Sequence, residues 1–361
     1  MRPTQRPLAA AAATLMASLF LTACGSGSGD GDREVSMTVA TPTWNPGIAS
    51  LAVSQEMGYF DEEGLDMEIV LTDSATTQFT QIATGKAATG AVSPEPLIIG
   101  HQDDKDIDLS LYMSYYAKNI YGLQVPEESP IQSIDDLEGT TVGAISLSSV
   151  SVTQLKVALQ EAGVPEDSVD FVAIGTGSQQ ASAVERGQVD ALALLDTSFQ
   201  VLANQGIALR EVEVPGAADL TAGGLAAPTG DLEDDRDLHI KIGRAVAKGV
   251  VFAEANPEAA VRLLYSAHPE AKPQGLGEEQ AVESGVKVLQ ARLANLGIEE
   301  ESTEYGRFDE AALQANVDFL ETSGEISRSV PVEDFYDDSL LEEINDFDFD
   351  AVREEARNGN G

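Results

Sequence analysis

One rhythm occurs twice in this chain, and the repetition narrows the possible folds more than any other feature. The stretch Gln81-Ile-Ala-Thr-Gly-Lys-Ala-Ala-Thr-Gly-Ala-Val parallels Ala183-Val-Glu-Arg-Gly-Gln-Val-Asp-Ala-Leu-Ala-Leu. Each reads as helix end, glycine, short loop and strand. Around the first lie a strand at Ser36 to Ala40, a helix at Gly47 to Met57, a strand at Asp66 to Leu71, a helix at Thr76 to Thr84 and a strand at Ala87 to Val92. Around the second lie a strand at Thr140 to Ile145, a helix at Ser149 to Ala162, a strand at Val169 to Ile174, a helix at Ser178 to Arg186 and a strand at Val189 to Leu195. The helices carry apolar residues at helical spacing, such as Val152, Leu155, Leu159 and Ala162. Two βαβαβ units predict an α/β chain with two parallel-rich units. Leu109 to Tyr116 reads as a strand between them, and Lys118 to Val125 as a crossing to the second unit. Leu225 to Pro228 reads as the return, followed by helices that begin at Asp237.

The N-terminus sets the compartment. Arg2 and Arg6 precede an apolar run from Leu8 to Leu21, and then come Leu21-Thr22-Ala23-Cys24-Gly25. A basic start, a short apolar core and small residues describe an export signal, and the run is short for a membrane span of about 20 residues. Gly25 to Gly31 reads as a flexible tether. Cys24 is the single cysteine, so no intrachain disulfide is available. Lys and Arg number 21 against 61 Asp and Glu, a formal charge of −40. Nucleic acid, whose phosphates need cations, is excluded as a partner by this balance. Anionic lipid headgroups are disfavoured for the same reason, while a saline habitat would screen the self-repulsion.

Ligands of open α/β sheets bind beyond the carboxyl ends of the strands. That rule selects six loops: Thr41 to Pro46, Thr72 to Thr76, Ser93 to Pro96, Ser146 to Ser149, Gly175 to Ser178, and Asp196 to Ser198. They are rich in hydroxyls and poor in Lys and Arg. The candidate ligand residues are Thr43, Trp44, Asn45, Ser74, Ser93, Glu95, Tyr115, Ser146, Ser148, Ser149, Thr176 and Asp196. Trp44, the one tryptophan, either stacks on a flat ligand or closes the end of the sheet. The serines and Thr176 precede helices, where they either cap backbone N–H groups or help hold an anionic group. Glu95 and Asp196 follow equivalent strands and either recognise an N–H donor or serve the fold. Tyr115, Tyr116 and Tyr121 either line the cleft or pack the crossing. No GxSxG elbow, Walker A loop or dinucleotide fingerprint is present, and His101, His239 and His268 lack metal-ligand spacing. Neither catalysis nor a cofactor nor a metal is expected.

Several stretches carry a family resemblance. Leu21-Thr-Ala-Cys24-Gly resembles the bacterial lipobox, which implies a diacylglycerol on Cys24 after removal of residues 1–23. Gln55-Glu-Met-Gly-Tyr-Phe-Asp-Glu-Glu-Gly-Leu, Ile134-Asp-Asp-Leu-Glu-Gly-Thr-Thr-Val-Gly, Gly187-Gln-Val-Asp-Ala, Ala255-Asn-Pro-Glu-Ala-Ala and Val330-Pro-Val-Glu-Asp-Phe-Tyr follow in order. Together they resemble the solute-binding proteins of ABC importers for alkanesulfonates, taurine, nitrate and thiamine-precursor pyrimidines. The resemblance implies an α/β, two-lobed periplasmic-binding-protein fold of type II, each lobe a mixed sheet flanked by helices, joined by a two-crossover hinge. It places a tether at 24–34, lobe I at 35–116 and 222–345, lobe II at 117–221 and a frayed acidic tail at 346–361. It implies a monomer on the outer face of the membrane that closes on one small polar solute and passes it to a permease and its ATPase. Ser93-Pro-Glu-Pro resembles the Ser-Tyr-Glu-Pro of the pyrimidine-precursor binders, with Pro94 in place of the tyrosine. Glu95 and Asp196 lean the reading toward a nitrogen-bearing or zwitterionic solute. The alternatives are an enzyme of the pyrimidine-synthesis branch of the superfamily, which relies on a cysteine-rich segment, and a ligand-binding partner of a membrane sensor.

Overall fold

A computed structural model describes residues 32–72, 74–102 and 108–359. The expected export signal, Cys24 and the expected tether up to Gly31 lie outside the described residues. Ten strands form two five-stranded sheets of one pattern. The first begins with β1 (Arg33–Val39), α1 (Ala49–Glu56), the short α2 (Tyr59–Glu62), β2 (Leu65–Leu71), α3 (Ala75–Ala83), β3 (Thr89–Val92), α4 (Pro94–Gly100) and β4 (Leu109–Tyr116). The chain then crosses to β5 (Tyr121–Pro126), β6 (Thr141–Ala144), α5 (Val150–Ala162), β7 (Asp170–Ala173), α6 (Ser178–Glu185), β8 (Ala191–Leu195), α7 (Asp196–Asn204) and β9 (Leu209–Val212). It returns in β10 (Gly223–Pro228) and continues through α8 (Thr229–Asp234), α9 (Arg236–Ala255), α10 (Pro257–Ala267), α11 (Glu278–Leu293), α12 (Glu310–Thr322), α13 (Leu341–Ile344) and α14 (Phe349–Arg357).

The sheet orders are β2-β1-β3-β10-β4 and β7-β6-β8-β5-β9. In the first, β1 runs parallel to β2 and β3 while β10 runs antiparallel to β3 and β4. In the second, β6 runs parallel to β7 and β8 while β5 runs antiparallel to β8 and β9. Each antiparallel strand is the first one after a crossing. The echo in the sequence is an echo in three dimensions. Gly85 (φ +68°) and Gly187 (φ +62°) each end a helix in the left-handed region. At the first, Lys86 N–H donates to Gln81 O and Gly85 N–H to Ile82 O; at the second, Gln188 N–H donates to Ala183 O and Gly187 N–H to Val184 O. These paired bonds make a Schellman motif, which glycine supports because it lacks the Cβ penalty.

The long α9 organises the first half. Helix α1 lies against it so closely that a Cβ on Gly249 would meet Ser54 Oγ at 2.1 Å. Ser54 Oγ donates across the contact to Ala245 O at 2.9 Å. Two expectations are corrected. Strand β1 starts at Arg33, inside the expected tether, because Arg33 already pairs with Leu65 and its N–H donates to Gly64 O at 2.9 Å. The acidic tail is not frayed: Phe349, Val352 and Ala356 of α14 are buried, and Asn256 Nδ2 ties Ala356 O to the end of α9 at 2.8 Å. Its acidity occupies the outer face, and Asp348 caps the helix by accepting from Ala351 N–H at 3.0 Å. Among the described residues no helix is long and apolar enough to cross a membrane.

Candidate ligand-binding cleft

The carboxyl ends of the parallel strands of both sheets open onto one cavity of ≈ 1040 Å³. All six strand-end loops contribute to its wall. Thr43, Trp44, Asn45, Ser74, Ser93, Ser146, Ser148, Ser149 and Thr176 line it, as do Tyr116 and Tyr121 from either side of the first crossing. A further wall comes from outside the loops: Tyr265 at the end of α10, the turn from Glu270 to Leu276, and Ser284, Val288 and Arg292 on α11.

Local bonds hold the loops. Asn45 Nδ2 donates to Thr41 Oγ1 and Thr43 O, both at 3.1 Å, and its Oδ1 accepts from Gly47 N–H at 2.9 Å. Ser74 caps α3 by accepting from Thr77 N–H at 3.2 Å. Ser149 does not cap α5 through its side chain; it accepts from Ser146 N–H at 3.1 Å, and Ser146 Oγ lies 3.2 Å from both Ser148 Oγ and Ser149 Oγ. Trp44 stacks on His268, with centroids 3.9 Å apart and planes 14° off parallel. The imidazole covers one face of the indole, so the ring is fixed in orientation. Ser93 Oγ and Tyr121 OH, 3.2 Å apart, join the two halves at the cleft floor.

Three candidates fall elsewhere. Tyr115 is fully buried behind the cleft, with its hydroxyl 2.7 Å from Ser50 Oγ; alternation along β4 turns it away from the face that Tyr116 presents. Glu95 is buried in the first turn of α4 and accepts from Gln154 Nε2 at 3.1 Å, a contact between the two halves. Burial pushes its pKa up, against its own backbone N–H, Gln154 and Asn316. Asp196 is engaged on both oxygens: Oδ1 accepts from Thr197 N–H at 2.6 Å and from Arg292 Nη2 at 2.7 Å, and Oδ2 from Asn295 Nδ2 at 2.9 Å. Neither carboxylate is open to a ligand amine, so neither favours a nitrogen-bearing or zwitterionic solute.

Arg292 escaped the sequence reading. It is the one cation, and Glu270 the one carboxylate, among the described residues that line the cavity. Burial opposes its charge, while Asp196 and the surrounding tyrosines outweigh that and raise its pKa. Its Cζ sits 4.8 Å from the centroid of the Tyr116 ring. One signal was present in the sequence: Arg292 shares a helical face with Val288 and Leu289, and a cation on an apolar face needs a partner. Among the described residues no cluster of His, Cys, Asp or Glu is arranged to hold a metal.

Two mixed sheets of one strand pattern, joined by two crossings and facing a shared cleft, define the periplasmic-binding-protein class of solute binders. The chain belongs within it to the NMT1/THI5-like family, whose sequence profile matches residues 45–260. It is 25% identical over 290 residues to the formylaminopyrimidine-binding protein of Halalkalibacterium halodurans, covering 78% of this chain and 85% of that protein. It is 25% identical over 306 residues to the riboflavin-binding protein RibY of Chloroflexus aurantiacus, covering 82% and 83%. Its fold matches that of the alkanesulfonate-binding protein SsuA of Xanthomonas axonopodis pv. citri, solved with MOPS, with a TM-score of 0.61 at 15% identity over 85% of this chain and 98% of that one.

Proposed function

We propose that the chain is the extracytoplasmic solute-binding component of an ABC importer, anchored through Cys24, and that its cleft takes a flat nitrogen heterocycle without altering it chemically. The observation that carries this reading is the cleft wall: an indole pre-oriented by His268, amid hydroxyls and amides, with Arg292 and Glu270 as the two charged side chains among the described lining residues. A ring sliding beside Trp44 gains aromatic contact, while hydroxyls and amides from both halves meet its edges. Two curated relatives named for heterocyclic ligands support the class, and the sulfonate-binding neighbour supports the fold alone. Residues 33–116 with 222–357, and 117–221, are the two bodies that close on the solute. The ligand stabilises the closed form by touching both at once.

The test uses Trp44 as its own reporter. Titration with a formylaminopyrimidine should change the emission of the single tryptophan, and the same ligand should reduce the radius of gyration in small-angle scattering. A response to MOPS or nitrate alone, with none to a formylaminopyrimidine or to riboflavin in a calorimetric titration, would reject the heterocycle.

A further inference from the structure

Arg292 is 4% exposed, yet it lines the cavity, and only part of its donor set is used. Nη2 donates to Asp196 Oδ1 at 2.7 Å and to Thr197 Oγ1 at 3.4 Å. Nε is buried with no partner, and the guanidinium's side-chain bonds run through Nη2. A guanidinium carries five N–H donors in a fixed plane, and a buried donor without an acceptor costs free energy. This plane cannot swing away to find one, because Asp196 grips one edge and Tyr116 lies 4.8 Å beneath it. Asn295 Nδ2 holds the far oxygen of Asp196 at 2.9 Å, so the carboxylate is pinned as well.

Charge selects what the remaining donors of Arg292 accept as a partner. Asp196 already balances Arg292 at 2.7 Å, and the other ionised side chain at the wall is the carboxylate of Glu270. A free anion would meet a wall with no surplus positive charge, inside a chain of net charge −40. An uncharged oxygen acceptor suffers no such repulsion and still gains a charge-assisted hydrogen bond. Building on the heterocycle reading above, we propose that Arg292 is a specificity residue that donates to an uncharged carbonyl of the solute, which makes the ligand an oxo- or formyl-bearing heterocycle. Arg292 stands on helix α11, beyond residues 45–260, the span matched by the family profile.

Calorimetric titrations of the full mature chain test this. The probes are riboflavin and a formylaminopyrimidine, which carry carbonyls, an aminomethylpyrimidine, which has none, and MOPS as the anion. The double variant Arg292→Met/Asp196→Asn keeps the charge balance, and its unfolding midpoint is measured alongside to show that it folds. It should bind the carbonyl-bearing probes roughly tenfold to a hundredfold more weakly, with the aminomethylpyrimidine changed less than twofold. Asp196→Asn alone leaves the guanidinium charge unbalanced and should bind MOPS more tightly than the wild type does. Carbonyl-probe affinity preserved in the folded double variant overturns the proposal, as does a wild type that prefers the aminomethylpyrimidine or MOPS. A wild type that binds none of the probes overturns the heterocycle reading and this inference together; an unchanged double variant overturns only the latter.

Discussion

At the residue scale, the cleft shows what one sequence can and cannot disclose. Trp44, Ser93 and Ser146 were legible because a rule about strand ends selects loops, and loops are local. The Asp196–Arg292 pair was not, because its members stand 96 residues apart and meet only through packing of α7 on α11. Glu95 misled for a related reason: a carboxylate in a helix's first turn looks the same in sequence whether it faces a cleft or Gln154. His239 makes a prediction at this scale. It is buried against the edge of Tyr112, and both ring nitrogens lack partners. Burial lowers its pKa from 6.5 to about 4, with Asp235 opposing and Arg33 assisting. The unfolded chain therefore takes up a proton that the folded chain refuses. Stability contributed by the neutral ring is present above pH 6.5 and is lost as the pH falls toward about 4. The full loss is on the order of 3 kcal/mol. Urea midpoints measured between pH 7 and pH 4 should fall more steeply for the wild type than for His239→Phe, and parallel slopes would refute the assignment.

Elements were legible where period and punctuation agreed. Helix α5 was expected from Ser149 and spans Val150–Ala162; β4 was expected and found at Leu109–Tyr116. The C-terminal helix was missed because its acidic residues masked its period. Phe349, Val352, Arg353 and Ala356 fall on one buried face, and Arg353 Nη2 donates to Ser302 O at 2.5 Å. The helix is thus part of the core around α9. Phe349→Ala should cost about 3 kcal/mol in chemical denaturation, as for other large core truncations. Asp350, whose side chain is 95% exposed in its pair with Arg353, should tolerate alanine with a change below about 1 kcal/mol. Equal effects of the two substitutions would show that the helix contributes nothing through its buried face.

For the molecule as a whole, the proposed anchor at Cys24 and the proposed importer role are tested together. In the native host, Cys24→Ser should move the protein from the membrane fraction to the medium or soluble fraction, and uptake of the cognate solute at limiting concentration should fall. Retention in the membrane fraction with normal uptake would remove the lipid anchor from the reading. The shared strand pattern has a different consequence, for the order in which the molecule is assembled. The second sheet draws all five strands from one unbroken stretch, Tyr121 to Val212. The first leaves a gap between β3 and β4 that only β10 fills, after the second sheet has been made. As the chain emerges from its N-terminus, the half that begins first is the half that finishes last. Until Gly223–Pro228 arrives, β3 and β4 wait as open edges, exposed to the wrong neighbours.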